Sequence, residues 1–206
     1  MNNQDVSSLG QNHLKSQFPK LDSLFDSVGP LTYPEAPDIH LLDAIARVVN
    51  SQMLSTHAAK AILDRLEQER KATNAELLVE LSDEKLRACG WSRSKVKTLR
   101  LFAESYRLDS ERFERWRSLP FEELEPEVKS CWGISTWTAE MLAIFYFNNR
   151  DVFPKFDLAI NRAVERFSKI DTQFEPARAS PHQTLLAMYM WASYRTDYWE
   201  TAKENF

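Results

Sequence analysis

Only four glycines interrupt the 206 residues, none of them follows Asn or Asp, and no run of apolar residues alternates strictly with polar ones. A chain without Asn-Gly or Asp-Gly turns and without period-two patterning has little from which to build a sheet. Apolar residues recur instead three and four apart, the spacing that lines one face of a helix. Leu41, Leu42, Ile45, Val48 and Val49 form such a stripe between Asp38 and Asn50. Ser55 can cap a second helix with Ala58, Ala59, Ile62, Leu63 and Leu66 inward. The pattern predicts an all-α fold. Hydrophobic residues make up 43% of the chain and aromatic ones 12%, enough to fill one core or two packed lobes.

The same reading continues along the chain. Short helices are expected from near Asn74 and Ser82, Gly90 as a helix stop, and Ser92 as the cap of a helix burying Val96, Leu99, Phe102, Ala103 and Tyr106. Pro120 and Pro126 bracket what reads as an acidic turn. Further helices are predicted after Ser135 or Thr136, from Asp157, and from Ser180-Pro181. The polar stretch from Met1 to Gln17 is expected to fray. It has no apolar signal core, and no later segment is apolar enough to span a bilayer, so a soluble, cytoplasmic protein without membrane partners is expected.

The formal net charge of −4 counts against a nucleic-acid partner, because duplex binders gain affinity by neutralising phosphates. Charge is unevenly spread, however. Arg87, Arg93, Lys95, Lys97 and Arg100 fall within fourteen positions that hold no acid, while acids crowd Glu111 to Glu127. Taken alone, the basic run reads first as a solvated helix face with a chance excess of positive charge. Cys89 and Cys131 cannot supply the four thiolates of an iron–sulfur cluster and read as thiols of a reducing cytosol. His57 and His182 lack metal-ligand spacing, so no catalytic metal is expected.

The segment KSCWGISTWTAEMLAIF, Lys129 to Phe145, reads as a short helix, a glycine turn and a second helix capped by Ser135 or Thr136. A helix N-terminus after a tight glycine turn presents backbone N–H groups and a partial positive charge, which suits a phosphate. Such a grip ignores base sequence and needs little side-chain charge. An ordinary helix corner has the same spacing.

At these residues the chain resembles the helix-hairpin-helix glycosylases with a Gly/Pro-rich loop and an aspartate, the HhH-GPD superfamily, in the branch of the bacterial alkylation-repair (3-methyladenine) enzymes. Four ordered segments between about Ile45 and Trp191 carry the likeness. NSQMLSTHAAKAI (Asn50 to Ile62) is similar to the family's Gln-Gln-Leu-Ser segment, and CGWSRSKVKTLR (Cys89 to Arg100) to its Gly-x-Ser-x-x-Lys stretch. GISTWTA (Gly133 to Ala139) is similar to Gly-Ile-Gly-Pro-Trp-Thr-Ala, and DVFPKFDLAI (Asp151 to Ile160) to Asp-Val-Phe-Pro-x-x-Asp-Leu-x-Ile. The chain departs from the pattern at Ser135 and Thr136, which replace a glycine and a proline, and at Met53 and Phe156, which replace a glutamine and an aspartate. It departs again at His182 and Gln183, where relatives carry an aromatic residue and an arginine.

The resemblance implies two helical lobes with a cleft between them: a terminal lobe of 18–36 plus 150–206 and a central lobe of 37–149 with the hairpin at about 129–147, after a flexible 1–17. It implies base excision from double-stranded DNA by a monomer. Asp157 becomes the catalytic carboxylate, beside the cleft, although by position alone it reads as a plain N-cap. Gly133, Ser135, Thr136, Thr138, Gln52, Arg93, Lys95 and Lys97 become DNA contacts, with Gln52 filling the gap left by a flipped base. Trp132, Trp137, Phe156 and His182 become walls of a base pocket, where aromatic faces favour a cationic alkylated purine. Trp137 stands where bifunctional relatives hold their Schiff-base lysine, so a monofunctional hydrolase is expected. No cofactor is implied beyond a monovalent cation that hairpin carbonyls could hold. The alternative readings are a glycosylase for uracil, hypoxanthine or mismatched bases, a non-catalytic duplex-binding module, and a helical protein scaffold.

Overall fold

The structure, a computed structural model, describes residues 2–196 and 198–199. Among the described residues there are eleven α-helices and no strand. In chain order they are α1 (Asn3–Gln17), α2 (Asp22–Val28), α3 (Leu41–Ser51), α4 (Thr56–Ala72), α5 (Asp83–Ala88), α6 (Arg93–Leu108), α7 (Ser110–Glu114), α8 (Phe121–Lys129), α9 (Thr136–Tyr146), α10 (Leu158–Ile170) and α11 (Gln183–Ser193). No helix of the described chain is long and apolar enough to cross a membrane. Two compact units result, one from the described parts of Met1–Glu35 and Asn148–Phe206, the other from Ala36–Phe147. The last stretch assigned from sequence to the terminal lobe, 200–206, and position 197 lie outside the described residues.

Local chemistry sets most boundaries. Ser55, Ser82 and Ser92 each accept a hydrogen bond from the backbone N–H three residues on, which satisfies an orphan donor at the starts of α4, α5 and α6. Each such cap contributes about 1 kcal/mol. Three expectations are corrected. No helix starts at Asn74, which takes a left-handed φ of 53° and ends α4. The Ala75 N–H donates to the Arg70 carbonyl and the Asn74 N–H to that of Lys71, the pattern of a Schellman closure. Pro120 and Pro126 do not bracket a turn, because Pro126 lies inside α8. Leu124 and Val128, four apart, bury completely on that helix, while Pro126 faces solvent, where water can take the carbonyl that loses its donor. The N-terminal stretch expected to fray is α1, with Asn2 and Asp5 forming a capping box and Ser7, Gly10 and Leu14 buried along one face.

The central unit packs α3 against α6 and α9. Leu41, Ile45 and Val49 meet a core that includes Leu99, Leu142 and the ring cluster Phe102, Phe113 and Trp116. Asn50, only 1% exposed, organises the end of α3. Its amide donates to the Ala59 carbonyl at 2.8 Å, its Oδ1 accepts from the Trp91 indole at 3.0 Å, and its backbone carbonyl accepts from Lys95 Nζ at 2.7 Å. The loop that starts at Gln52 is thereby fixed from α4 and α6.

The terminal unit is built on α11, whose Leu185, Leu186, Tyr189 and Met190 bury against Leu14, Leu24 and Phe25 from the N-terminal helices and Ile160 and Phe167 from α10. Gly10 lets α1 approach closely: a Cβ there would stand 2.8 Å from Leu185 Cδ2. Asp151 accepts from Ser180 Oγ and the Gln183 N–H, and Thr184 bonds to Asn149 and Val152. The segment leading to α10 is thus fastened to the start of α11.

His182 closes the α1 to α11 contact. Its Nδ1 lies 2.5 Å from Tyr33 Oη and its ring centroid 5.2 Å from that of His13. Burial, followed by the nearby His13 and Arg150, pushes the His182 imidazolium below its ordinary range, with Asp151 opposing. Burial also pushes the Tyr33 hydroxyl up to about 12. A histidine held neutral in the fold binds fewer protons than in the unfolded chain. Stability therefore falls as pH drops below about 6.5. Thermal denaturation between pH 7.5 and pH 5 should show a falling Tm, with a shallower fall in His182→Gln; an identical slope in the variant would place the acid sensitivity elsewhere.

Candidate functional site

The residues expected to act fall into two sets, one in each unit. The first surrounds the turn between α8 and α9. Cys131 N–H bonds to the Val128 carbonyl and Ile134 N–H to that of Cys131, and Ile134 is buried beneath the turn. Gly133 adopts a φ of 76° and lies so close to α6 that a Cβ would stand 2.1 Å from Thr98 Oγ1. Both facts require glycine. Ser135 is the N-cap of α9 by backbone geometry, yet its side chain makes no cap bond, contrary to the expectation that Ser135 or Thr136 caps the helix. The Thr136 hydroxyl donates back to Glu125 Oε1 at 2.9 Å and ties the two hairpin helices together. The first N–H groups of α9 thus begin a helix whose cap contributes no side-chain acceptor, the arrangement that suits an anion.

Gln52 braces this turn. Its amide donates to Thr138 Oγ1 at 3.0 Å and to the Gly133 carbonyl at 3.3 Å. A donor aimed at that carbonyl competes with a monovalent cation for the oxygen. In the Gln52 loop Met53 is 95% accessible, against 38% for Leu54, and takes a left-handed φ of 57°. A non-glycine residue in that region stores about 1–3 kcal/mol.

The basic residues separate. Lys95 is half-buried and committed to the Asn50 carbonyl, and burial lowers its ammonium below the ordinary lysine range. Arg100 is committed to Asp83 and to the carbonyls of Val79 and Leu81. Arg93 and Lys97 stay exposed on α6. Trp132 is exposed in the turn with Lys97 Nζ 4.3 Å from its ring centroid, whereas Trp137 is half-buried in the first turn of α9.

The second set lies at the start of α10. Asp157 is its N-cap, and a single oxygen, Oδ1, accepts from Ala159 N–H at 3.0 Å, Ile160 N–H at 3.1 Å and the Trp191 indole at 3.1 Å. Three donors on one oxygen fix the plane of the carboxylate; Oδ2 receives none of the three. Phe156 and Leu158, 53% and 67% exposed, flank the acid with apolar surface. His182, by contrast, is engaged with Tyr33 and His13. Sequence reasoning missed Trp191, because 34 residues separate it from Asp157 and only the packing of α11 on α10 joins them. It also missed Asn50, although a lone asparagine ending an apolar helical stripe was a visible signal.

With this geometry in place, comparison with known proteins decides the family. The description "HhH-GPD superfamily base excision DNA repair protein" matches residues 46–185, which contain the turn and the acid. The chain belongs to the HhH-GPD superfamily. It is 34% identical over 163 residues to DNA-3-methyladenine glycosylase 1 of Schizosaccharomyces pombe, covering 72% of this chain and 70% of that protein. It is 25% identical over 197 residues to the alkylbase DNA glycosidase-like protein mag2 of the same yeast, covering 88% and 91%. Among solved structures, the S. pombe 3-methyladenine DNA glycosylase Mag1 in complex with abasic DNA superposes with a TM-score of 0.71 at 26% identity, over 88% of this chain and 94% of that one. The DNA-3-methyladenine glycosidase of Bacillus halodurans, at a TM-score of 0.65 and 24% identity over 87% of each chain, shares the fold. The HhH-GPD fold and its base excision repair class are thus established for this chain.

Replacing Gly133 by alanine forces a side chain into a left-handed φ and against Thr98. The combined cost is on the order of 2–4 kcal/mol. Thermal denaturation should register a Tm lower by about 5 °C or more; a wild-type Tm would mean that the turn relaxes away from α6.

Proposed function

We propose that the protein is a monofunctional DNA glycosylase that acts as a monomer on double-stranded DNA, releasing alkylated purines of the 3-methyladenine type and leaving an abasic site. The observation that carries this reading is the Asp157 carboxylate, fixed through Oδ1 by two backbone N–H groups and the Trp191 indole. The identity to a DNA-3-methyladenine glycosylase and to an alkylbase glycosidase-like protein supports the substrate class.

The chemistry needs little else. A purine methylated at N3 and still bonded to its sugar carries a positive charge. Breaking the C1′–N bond sends the electron pair to the base, which leaves neutral, and transfers the positive charge to the sugar. No general acid is required for that departure. A fixed carboxylate lowers the barrier by opposing the growing charge, and water then adds to C1′ and gives its proton to solvent. Trp137 occupies the place before Thr138 and Ala139, and an indole cannot form the Schiff base that strand cleavage requires.

In this reading the hairpin grips backbone phosphate through α9, and Phe156 offers an apolar surface to the extruded base. Gap filling passes from Gln52 to Met53, because Gln52 is spent bracing the hairpin while Met53 is far more exposed than the neighbouring Leu54. A flexible, apolar methionine suits a gap of variable shape.

Base release from methylated duplex should be measured beside duplexes holding uracil, hypoxanthine or 8-oxoguanine. The wild type should release methylpurines and leave intact abasic strands. Asp157→Asn should lose about 10² to 10⁴ in single-turnover rate. Trp191→Phe, which keeps the ring and deletes one donor to the carboxylate, should lose on the order of tenfold. Release of uracil or hypoxanthine alone would shift the substrate class, and silence across the panel would leave a DNA-binding relative without chemistry.

A further inference from the structure

Trp132 is 46% exposed within the tight turn, immediately before Gly133. Lys97 Nζ stands 4.3 Å from its ring centroid, within the range of a cation–π contact. That contact occupies one side of the ammonium and leaves its other N–H bonds for an acceptor. Arg93 precedes Lys97 by four residues on α6, so the two share a helix face.

Both line an open groove of ≈ 860 Å³ beside α5, together with Arg87 and Arg100. Its acids are Asp83, which is taken by Arg100 at 2.8 Å, and Glu84. Among the described residues Arg87, Arg93 and Lys97 form no ion pair. Three cations without an ion pair therefore line the groove beside a single acid, Glu84, that is not paired with Arg100, in a chain whose net charge is −4. Helix α6 serves both places: Lys97 lines the groove and reaches the Trp132 ring, while the buried Thr98 beside it meets Gly133.

We propose that Trp132 and Lys97 work as one unit that binds the DNA backbone. The indole holds the ammonium where, with Arg93, it takes a phosphate neighbouring the one gripped by the start of α9. Trp132 is then a positioning residue for a backbone contact and not a wall of the base pocket. The inference rests on the reading of the chain as a DNA glycosylase and adds a second anchor to it. Lys95, which the basic run alone would include, is outside the unit because it is committed to Asn50.

The test compares wild type, Lys97→Gln, Trp132→Ala, Trp132→Phe and the Lys97→Gln/Trp132→Ala double variant. Fluorescence anisotropy would give Kd across a salt series for an undamaged duplex and for one holding a neutral tetrahydrofuran abasic site. Lys97→Gln and Trp132→Ala should each weaken both duplexes by the same factor, about three- to tenfold. Each should reduce the slope of log K against log salt by about one. Trp132→Phe, which keeps an aromatic face, should restore most of the affinity, and the double variant should bind no worse than the weaker single one. Additive losses would overturn the coupling, an unchanged salt slope would overturn the phosphate contact, and a loss confined to the abasic duplex would return Trp132 to the base pocket. Base release by the wild type, measured on the same preparation, separates the two readings: release with unaltered variants sinks this inference alone, whereas no release and no duplex binding sinks both.

Discussion

Three N–H donors converge on Oδ1 of Asp157, and the proposed chemistry depends on that convergence. Two of them come without side-chain cost from the first turn of α10. The third, from Trp191, requires α11 to pack on α10 in one register, and that packing requires the buried stripe of Leu185, Leu186, Tyr189 and Met190. The core of the terminal unit is therefore what aims the carboxylate. Asp151 and Thr184, by fastening the segment before α10 to the start of α11, hold the acid from its N-terminal side as well. A carboxylate held from both directions has lost its rotational freedom before any substrate arrives, which is the condition for electrostatic stabilisation without reorganisation.

The hairpin works under a different constraint. Its useful groups are main-chain N–H groups, so its side chains serve to hold the backbone. Gly133 lies against Thr98, Ile134 is buried, Thr136 bonds to Glu125, and Gln52 reaches across to the Gly133 carbonyl and Thr138. This explains how an acidic chain can belong to a DNA-repair superfamily. Net charge reports on the whole surface, whereas the helix terminus and the cations Arg87, Arg93 and Lys97, none of them in an ion pair, are local.

How much of this is legible in the sequence follows the range of each interaction. Ser55, Ser82, Ser92 and Asp157 are caps whose partners lie two or three residues away, and each is readable from residue type and position. The glycine of the turn is readable for the same reason, and the ordered motifs around it point to the family. What does not show in the sequence is whatever depends on a distant partner. Lys95 reads as one more cation in a basic run until its ammonium is seen on the Asn50 carbonyl, 45 residues away in sequence. Nothing near Gln52 in sequence shows that its amide reaches Thr138, 86 residues away. Pro126 and the polar α1 fail because breaker residues and polar composition are weighed locally, whereas the burial of Leu124, Val128 and Leu14 is decided by tertiary packing. Trp191 had no local signal at all.

The central claim is electrostatic: Asp157 stabilises positive charge on the sugar. The most direct test compares two duplexes that differ only in that charge, one with a protonated pyrrolidine in place of the sugar ring and one with neutral tetrahydrofuran. If Asp157 opposes charge on the sugar, Asp157→Asn binds the pyrrolidine duplex at least about tenfold more weakly than the wild type does, while the tetrahydrofuran duplex is bound equally by both. Equal affinities of the two proteins for the pyrrolidine duplex, or equal losses on both duplexes, would contradict it.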